Sequence, residues 1–209
     1  MNLLVLVTAI LGVIGVGIQF YFSFTGKLAQ GFSVLYAANH YFSFFTAIVN
    51  TGIAALLLAY YFYPGSKLSR WFKKTTNNTA LALYILIVSL IYYTLLLNNH
   101  PLVPAEMVAT HILHGFVPLA YLGLWFFRFR KGDLNYSDSF RWVLFPLGYF
   151  IYLLLRGAMI GAYPYFFVNV SKLGYPMVLL YAVGILGVFL ISGLSLIVID
   201  RRIKFKKNN

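Results

Sequence analysis

Polar side chains are scarce in the long apolar stretches of this sequence, and several of them are of types that could carry out chemistry. Thr46 and Asn50 are four residues apart, and His111 and His114 are three apart, so each pair would share one face of a helix. A histidine can take the proton of a hydroxyl during attack on a carbonyl and return it to the leaving group. Thr46 and His114 are therefore candidates for a nucleophile and its base.

An attack of this kind develops negative charge on the substrate, and that charge needs hydrogen-bond donors. Asn50, Arg156 or a tyrosine hydroxyl could supply them, and Arg156 could instead hold a carboxylate through two parallel hydrogen bonds. The candidates for an oxyanion or substrate-binding role are Asn50, Arg156, Tyr163, Tyr165, Gln19 and His111.

The same residues have structural interpretations. The hydroxyl of a threonine such as Thr46 often bonds the carbonyl one helical turn back, and Asn50 could bond a neighbouring helix. Arg156 could extend its charged group to the membrane surface, while Tyr163 and Tyr165 could belong to the aromatic belt at that surface. Residue types and spacing alone leave the catalytic and the structural interpretations open.

The composition indicates an integral membrane protein. Of the 209 residues, 61% are hydrophobic and 10% are charged, whereas soluble domains carry about 25% charged residues. The sequence has no cysteine, which excludes disulfides, thiolate metal sites and a cysteine nucleophile. Only four acidic residues are present, so we do not expect chemistry that needs a buried pair of carboxylates.

Long stretches without charge predict the membrane spans, because an α-helix needs about 20 apolar residues to cross a bilayer. Runs such as Leu56–Leu58 and Leu153–Leu155 do not alternate as the strands of a membrane barrel would. We therefore predict an all-α integral membrane protein that forms a single domain over residues 1–209. Its six spans are predicted at about 3–23, 40–63, 79–97, 108–127, 141–162 and 176–199.

The basic residues predict the orientation of these spans, because cytoplasmic loops are enriched in lysine and arginine. With the N-terminus inside, thirteen basic residues fall in the inner loops and tail, against only Lys27 and Lys172 in the outer loops. Both termini are therefore expected in the cytoplasm. The net charge of +12 is then explained by membrane insertion and by contact with membrane lipids, so we expect no nucleic-acid partner.

With this orientation, the candidate residues of different spans would lie at similar depth. Thr46, His114 and Arg156 are each six residues from the outer end of a predicted span, or ~9 Å at ~1.5 Å per residue. Gln19 falls near the same level. The simplest arrangement is one polar cavity in the outer half of the bilayer, suited to an amphiphile whose tail lies among the apolar helices.

Three blocks of sequence follow one another along the chain. Phe44–Asn50 contains F-T-x-x-x-N, His114–Pro118 contains H-x-x-x-P, and Tyr149–Tyr175 contains Y…R-G…Y-P-Y-x-F…G-Y. In content and order they resemble the integral-membrane family of the androgen-induced protein and the androgen-dependent TFPI-regulating protein, with its bacterial relatives. One departure is Asn169, which stands where the family has an aspartate.

The resemblance implies six helices with cytosolic termini and an intramembrane threonine hydrolase. Its substrates would be lipid esters, notably fatty acid esters of hydroxy fatty acids. The family's nucleophile corresponds to Thr46 and its histidine to His114. We accordingly expect a multi-pass protein of a bacterial inner membrane, with an amphiphilic lipid as substrate and no cofactor or metal.

Two other classes of function fit the same residues. A lipid-binding or transport protein without catalysis could hold an amphiphile in the same cavity, with Arg156 at its anionic head. A haem or metal protein could use His111 and His114 with His40.

Overall fold

The structure is a computed structural model that describes residues 2–97, 103–129 and 132–208, with the side chains of residues 3–97, 103–129 and 132–203. These residues form helices and no strands. Six of the helices in this described part of the chain are long and apolar enough to cross a membrane, which confirms the predicted all-α, six-span fold class. The six spans are Leu3–Ala29, Phe45–Phe62, Thr75–Leu96, Pro104–Phe127, Ser137–Ile160 and Val170–Ile203.

In the described residues, nine α-helices build these spans and the connections between them. They are α1 (Asn2–Ala29), α2 (Val34–Phe42), α3 (Phe45–Phe62), α4 (Lys67–Phe72), α5 (Thr75–Ile91), α6 (Pro104–His111), α7 (Val117–Phe127), α8 (Ser137–Ile160) and α9 (Val170–Asn208). A π-helical turn at Tyr92–Leu96 extends α5, and a second one at Ile112–Phe116 joins α6 to α7. Within α9, Gly174 has a φ of 71° and kinks the helix.

The sequence predicts the second span as one helix that starts near residue 40, whereas the structure has a break there. Helix α2 ends at Phe42 and α3 begins at Phe45, with Phe44 extended between them. The hydroxyl of Ser43 donates to the carbonyl of His40 at 2.6 Å. The backbone N–H groups of Ser43 and Phe44 donate to the last carbonyls of α2 at 3.2 Å. The break therefore has its own hydrogen bonds, and it comes without a proline or glycine to mark it in the sequence.

The chain divides into two compact units, Met1–Arg130 and Lys131–Asn209. The single domain expected from the sequence therefore stays a prediction, and the two units are described separately. The first unit contains α1 to α7, and the second contains α8 and α9.

In the first unit, four spans pack as a bundle. Helix α1 lies against α3 and α7, and α5 also lies against both of them. Two glycines of α1 allow close approach: a Cβ added at Gly12 would lie 3.3 Å from the Cβ of Ala54, and one at Gly15 would lie 2.9 Å from Leu113 Cδ2. Small residues at such crossings let membrane helices approach closely.

Helix α2 is held against α1 by Tyr41. Its hydroxyl donates to the carbonyl of Val16 at 3.2 Å, and its ring meets that of Phe20 edge to face. Only 2% of Tyr41 is exposed, and burial raises its pKa to about 12. The phenol is therefore a neutral hydrogen-bond donor at every physiological pH.

Two hydrogen bonds join α5 to α7. Tyr121 donates from its hydroxyl to the carbonyl of Asn78 at 3.1 Å. The indole N–H of Trp125 donates to the hydroxyl of Thr79 at 2.8 Å. All four residues are buried, and these bonds fix how α5 lies along α7.

In the second unit, α9 packs against α8 and the 3₁₀ turn Phe166–Val168. The carboxylate of Asp200 accepts from the backbone N–H of Gly132 at 2.6 Å. Arg201 donates to the carbonyl of Leu134 at 3.0 Å and stacks over the ring of Tyr136. These contacts tie the segment before α8 to the far end of α9.

Candidate functional site

The backbone around His114 is shaped by Pro118. A proline has no N–H, and its ring clashes with the carbonyl four residues before it, which here is that of His114. The chain accommodates this with the π-helical turn, in which the N–H of Val117 bonds the carbonyl of Ile112, five residues back. The released carbonyl of His114 accepts a hydrogen bond from the hydroxyl of Ser89 at 2.7 Å.

The imidazole of His114 is held on both sides. Its Nδ1 lies 3.0 Å from the carbonyl oxygen of Thr110. Because a carbonyl only accepts, Nδ1 carries the proton, and this assignment leaves Nε2 with a free lone pair. The ring of Tyr92 stacks on the imidazole at a centroid distance of 4.0 Å. His114 is only 5% exposed, so its imidazole is buried as well as oriented.

Thr46 differs from three of the threonines elsewhere in the spans. It shares with Thr51, on the same helix, a hydroxyl that makes no hydrogen bond in the described residues. Thr8, Thr25 and Thr94 each donate to the carbonyl four residues back at 2.7 Å. Within the described residues, the hydroxyl of Thr46 makes no such bond and no other hydrogen bond. The reason is the break in the second span, since the residue four positions back, Phe42, ends α2. The back-bonded interpretation of Thr46 is therefore wrong.

The position of Thr46 in its helix also matters. It is the second residue of α3, whose first turn has no side-chain cap. The N–H groups of a first turn carry partial positive charge. That charge favours an alkoxide at Thr46 and an oxyanion next to it.

Asn50 lies one turn further along α3 and is fully buried. Its Nδ2 donates to the carbonyl of Thr46 at 3.0 Å. Its Oδ1 is buried and makes no hydrogen bond with the described part of the chain. Asn50 thus offers an acceptor beside Thr46 where the sequence predicted an oxyanion donor.

Span three contacts both His114 and the residue next to Thr46. Phe45, next to Thr46, meets the ring of Tyr84 edge to face at 6.2 Å. Ser89 and Tyr92, further along the same span, contact His114. Tyr84 and Tyr92 are ~12 Å apart along the helix at ~1.5 Å per residue. Helix α3 also packs directly against the π-helical turn Ile112–Phe116 that carries His114.

Two predictions about this neighbourhood are wrong. The depths counted from span ends fail, because the second span begins at Phe45 and the fourth at Pro104. Thr46 is therefore the second residue of its span and His114 the eleventh. His111 is exposed, with its Nδ1 2.6 Å from the carbonyl oxygen of Met107. It does not share the buried face of His114, because the π-helical turn changes the number of residues per turn.

Gln19 is half-buried on α1, on the helix that packs against both α3 and α7. It lies one turn beyond Gly15, where an added Cβ would meet the side chains of Leu113 and Ile112. Gln19 therefore belongs to the same bundle as Thr46 and His114, and its predicted substrate-binding role stays a prediction.

Arg156, Tyr163 and Tyr165 belong to the second unit and form a local corner there. Helix α8 ends at Gly161 with a φ of 68°, and Arg156 donates from Nη1 to the next carbonyl, that of Ala162, at 2.9 Å. The guanidinium is buried and bonds the chain just past the end of its span. The ring of Tyr163 covers Gly157, and Tyr165 stacks on Phe167. Their predicted role in binding substrate stays a prediction.

Sequence reasoning missed Ser89 and Tyr92 as partners of His114. The proline four residues after His114 was a signal for Ser89, because it releases a carbonyl that then needs a donor. Across the described residues, no group of three or more His, Asp or Glu side chains is placed to hold a metal ion. Comparisons of the chain with protein-family models, with curated proteins and with solved structures gave no match.

Proposed function

We propose that this protein is an intramembrane threonine hydrolase that cleaves lipid esters, with Thr46 as the nucleophile and His114 as the base. The observation that carries the proposal is the state of Thr46. Its hydroxyl is not bonded within its own helix, while Thr8, Thr25 and Thr94 bond theirs. The hydroxyl of Thr51 is also unbonded, but only Thr46 combines this with a place in the uncapped first turn of α3. A hydroxyl nucleophile must pass its proton to the base as it attacks, so that proton must not be held by a backbone carbonyl.

The reaction follows from the two side chains. The Oγ of Thr46 attacks the ester carbonyl, and Nε2 of His114 takes the hydroxyl proton. The first-turn N–H groups of α3 stabilise the oxyanion. The ester C–O bond then breaks, His114 protonates the departing alcohol, and an acyl-Thr46 remains.

The substrate class rests on the surroundings and on the resemblance of the three sequence blocks. An apolar bundle suits a ligand with long acyl chains, and a half-buried threonine suits an ester between them. Fatty acid esters of hydroxy fatty acids are therefore our proposed substrates. The proposed setting is a bacterial inner membrane with both termini in the cytoplasm, as the distribution of basic residues favours.

The test is labelling of the purified protein with a fluorophosphonate, followed by mass spectrometry to locate the adduct. We expect an adduct on Thr46 in the wild type, none in Thr46→Val, and a retained but slower one in Thr46→Ser. His114→Gln should label far more slowly because it removes the base. Thr8→Val is the matched control, since it removes a buried threonine hydroxyl that is bonded within its helix.

Hydrolysis of a fatty acid ester of a hydroxy fatty acid is measured on the same proteins in detergent. Activity that persists in folded Thr46→Val or His114→Gln would refute the proposal. Tight lipid binding without an adduct or hydrolysis in the wild type would favour the lipid-binding or transport function instead.

A further inference from the structure

The geometry of Asn50 points to a second role in the same reaction: we infer that its Oδ1 holds the water that hydrolyses acyl-Thr46. This inference rests on the proposed function. It concerns the second half of the reaction, which the roles of Thr46 and His114 in the attack on the ester leave open.

The first argument is the burial of Asn50 without a partner for its oxygen. Asn50 is 0% exposed, and its Oδ1 makes no hydrogen bond within the described residues. A buried acceptor without a donor costs about 1–3 kcal/mol, and most such groups are paired. An acceptor needs an O–H or N–H donor, and water is the donor that ester hydrolysis consumes.

The second argument is orientation. Because Nδ2 of Asn50 donates to the carbonyl of Thr46 at 3.0 Å, the carboxamide cannot turn its oxygen toward that carbonyl. Side chains of a helix lean toward its N-terminus, which for Asn50 is the end that carries Thr46. The acceptor is therefore fixed beside the residue that would bear the acyl group.

A second asparagine shows what is special about Asn50. Asn78 is also buried, and its Oδ1 also has no hydrogen bond within the described residues. It lies in the first turn of α5, and its backbone carbonyl accepts from Tyr121. The hydroxyl next to it in the chain, that of Thr79, accepts a hydrogen bond from the indole N–H of Trp125. Burial without a partner is thus shared by both residues, while the bond to Thr46 belongs to Asn50.

The step balances with the groups at hand. The oxygen of the water bonds to the acyl carbon while Nε2 of His114 takes one of its protons, and the other proton stays on the hydrogen bond to Asn50 Oδ1. The C–O bond to Thr46 then breaks. His114 returns its proton to Thr46 Oγ, so ester plus water gives a carboxylic acid and free Thr46.

The experiment separates the two half-reactions. Acylation is followed as the rate of fluorophosphonate labelling. Deacylation is followed by intact-protein mass spectrometry as the decay of acyl-Thr46 after a short exposure to a fatty acid ester of a hydroxy fatty acid. We compare the wild type with Asn50→Leu, which removes the acceptor together with the donor to the Thr46 carbonyl, and with the matched control Asn78→Leu.

We expect Asn50→Leu to label like the wild type and to lose acyl-Thr46 about tenfold more slowly, the effect of one hydrogen bond. Asn78→Leu should deacylate at the wild-type rate. Asn50→Asp should restore deacylation, because a buried carboxyl is protonated and keeps both a donor for Thr46 and an acceptor. Asn50→Ala replaces Asn50→Leu if the larger side chain prevents folding.

Unchanged deacylation in a folded Asn50→Leu or Asn50→Ala would overturn the role of Asn50 and leave the proposed function intact. An equal slowing in Asn78→Leu would also overturn it, since the effect would then come from loss of any buried amide. Failure of the wild type to form acyl-Thr46 at all would instead overturn the proposed function, and the inference with it.

Discussion

The hydroxyl of Ser89 lies 2.7 Å from the carbonyl oxygen of His114 and donates a hydrogen bond to it. That oxygen is the one that Pro118 leaves without its helical donor. The two residues lie on different spans, so one bond both supplies a donor to this carbonyl and joins α5 to the segment that carries His114. The orientation of His114 therefore depends on a neighbouring helix as well as on its own.

We expect Ser89→Ala to weaken both stability and labelling. Without the hydroxyl, the carbonyl of His114 loses its partner, which costs about 1–2 kcal/mol. The melting temperature in detergent should fall, and labelling of Thr46 by a fluorophosphonate should slow by about tenfold if His114 shifts. Ser195→Ala is the control, because that hydroxyl bonds its own helix. Labelling at the wild-type rate would show that Ser89 does not position His114.

Pro118→Ala should separate stability from activity. The new N–H can bond the carbonyl of His114 and restore a regular α-helix, so we expect the melting temperature to be unchanged or higher. Removal of the π-helical turn rotates His114 relative to Tyr92, and labelling of Thr46 should fall. Pro146→Ala is the control: it changes a proline inside a spanning helix of the second unit and should label normally. Normal labelling in Pro118→Ala would contradict a functional role for the turn.

The fold class was predictable because charge alone marks where a chain can leave the bilayer. Span ends were predicted less well, since the polar first turns at Thr75 and Ser137 are helical although they are not apolar. The break before α3 had no marker, because Ser43 and Phe44 are ordinary helix residues whose bonds to the end of α2 appear only in the folded chain.

The candidate site was predictable in its residue types and less so in their arrangement. A threonine and a histidine within apolar spans were visible, because polar groups are costly there. The sequence did not show which histidine faces inward, because periodicity assumes a regular helix. The π-helical turn before Val117 separates the environments of His111 and His114. Arg156 bonds a carbonyl just past the helix end at Gly161, whereas residue spacing suggested that it binds a ligand.

We expect Gly157→Ala to destabilise the second unit. A Cβ at this position would clash with the ring of Tyr163, and such overpacking costs about 1–3 kcal/mol. The melting temperature should therefore fall. Gly148→Ala is the matched control on the same helix, since nothing lies within 4 Å of its added Cβ. It should be neutral or stabilising.

The double variant Gly157→Ala with Tyr163→Ala completes this test. Removing the ring gives the new methyl group room, so the second substitution should cost less in the presence of the first than alone. Additive losses would mean that the close contact between Gly157 and Tyr163 does not set the stability of this corner.

Gly15→Ala should affect the labelling of Thr46 indirectly, through its contact with Leu113. The added Cβ would lie 2.9 Å from Leu113 Cδ2 and 3.0 Å from Ile112 Cγ2, so both side chains must shift. Because Leu113 precedes His114 in the π-helical turn, we expect slower labelling of Thr46 together with a stability loss of about 1 kcal/mol. Gly17→Ala is the control on the same helix, with nothing within 4 Å of its Cβ. The double variant Gly15→Ala with Leu113→Ala should recover labelling if the contact between the two residues transmits the effect.

Equal effects of Gly15→Ala and Gly17→Ala would mean that α1 responds to any loss of glycine flexibility. The packing of α1 on Leu113 would then not hold His114.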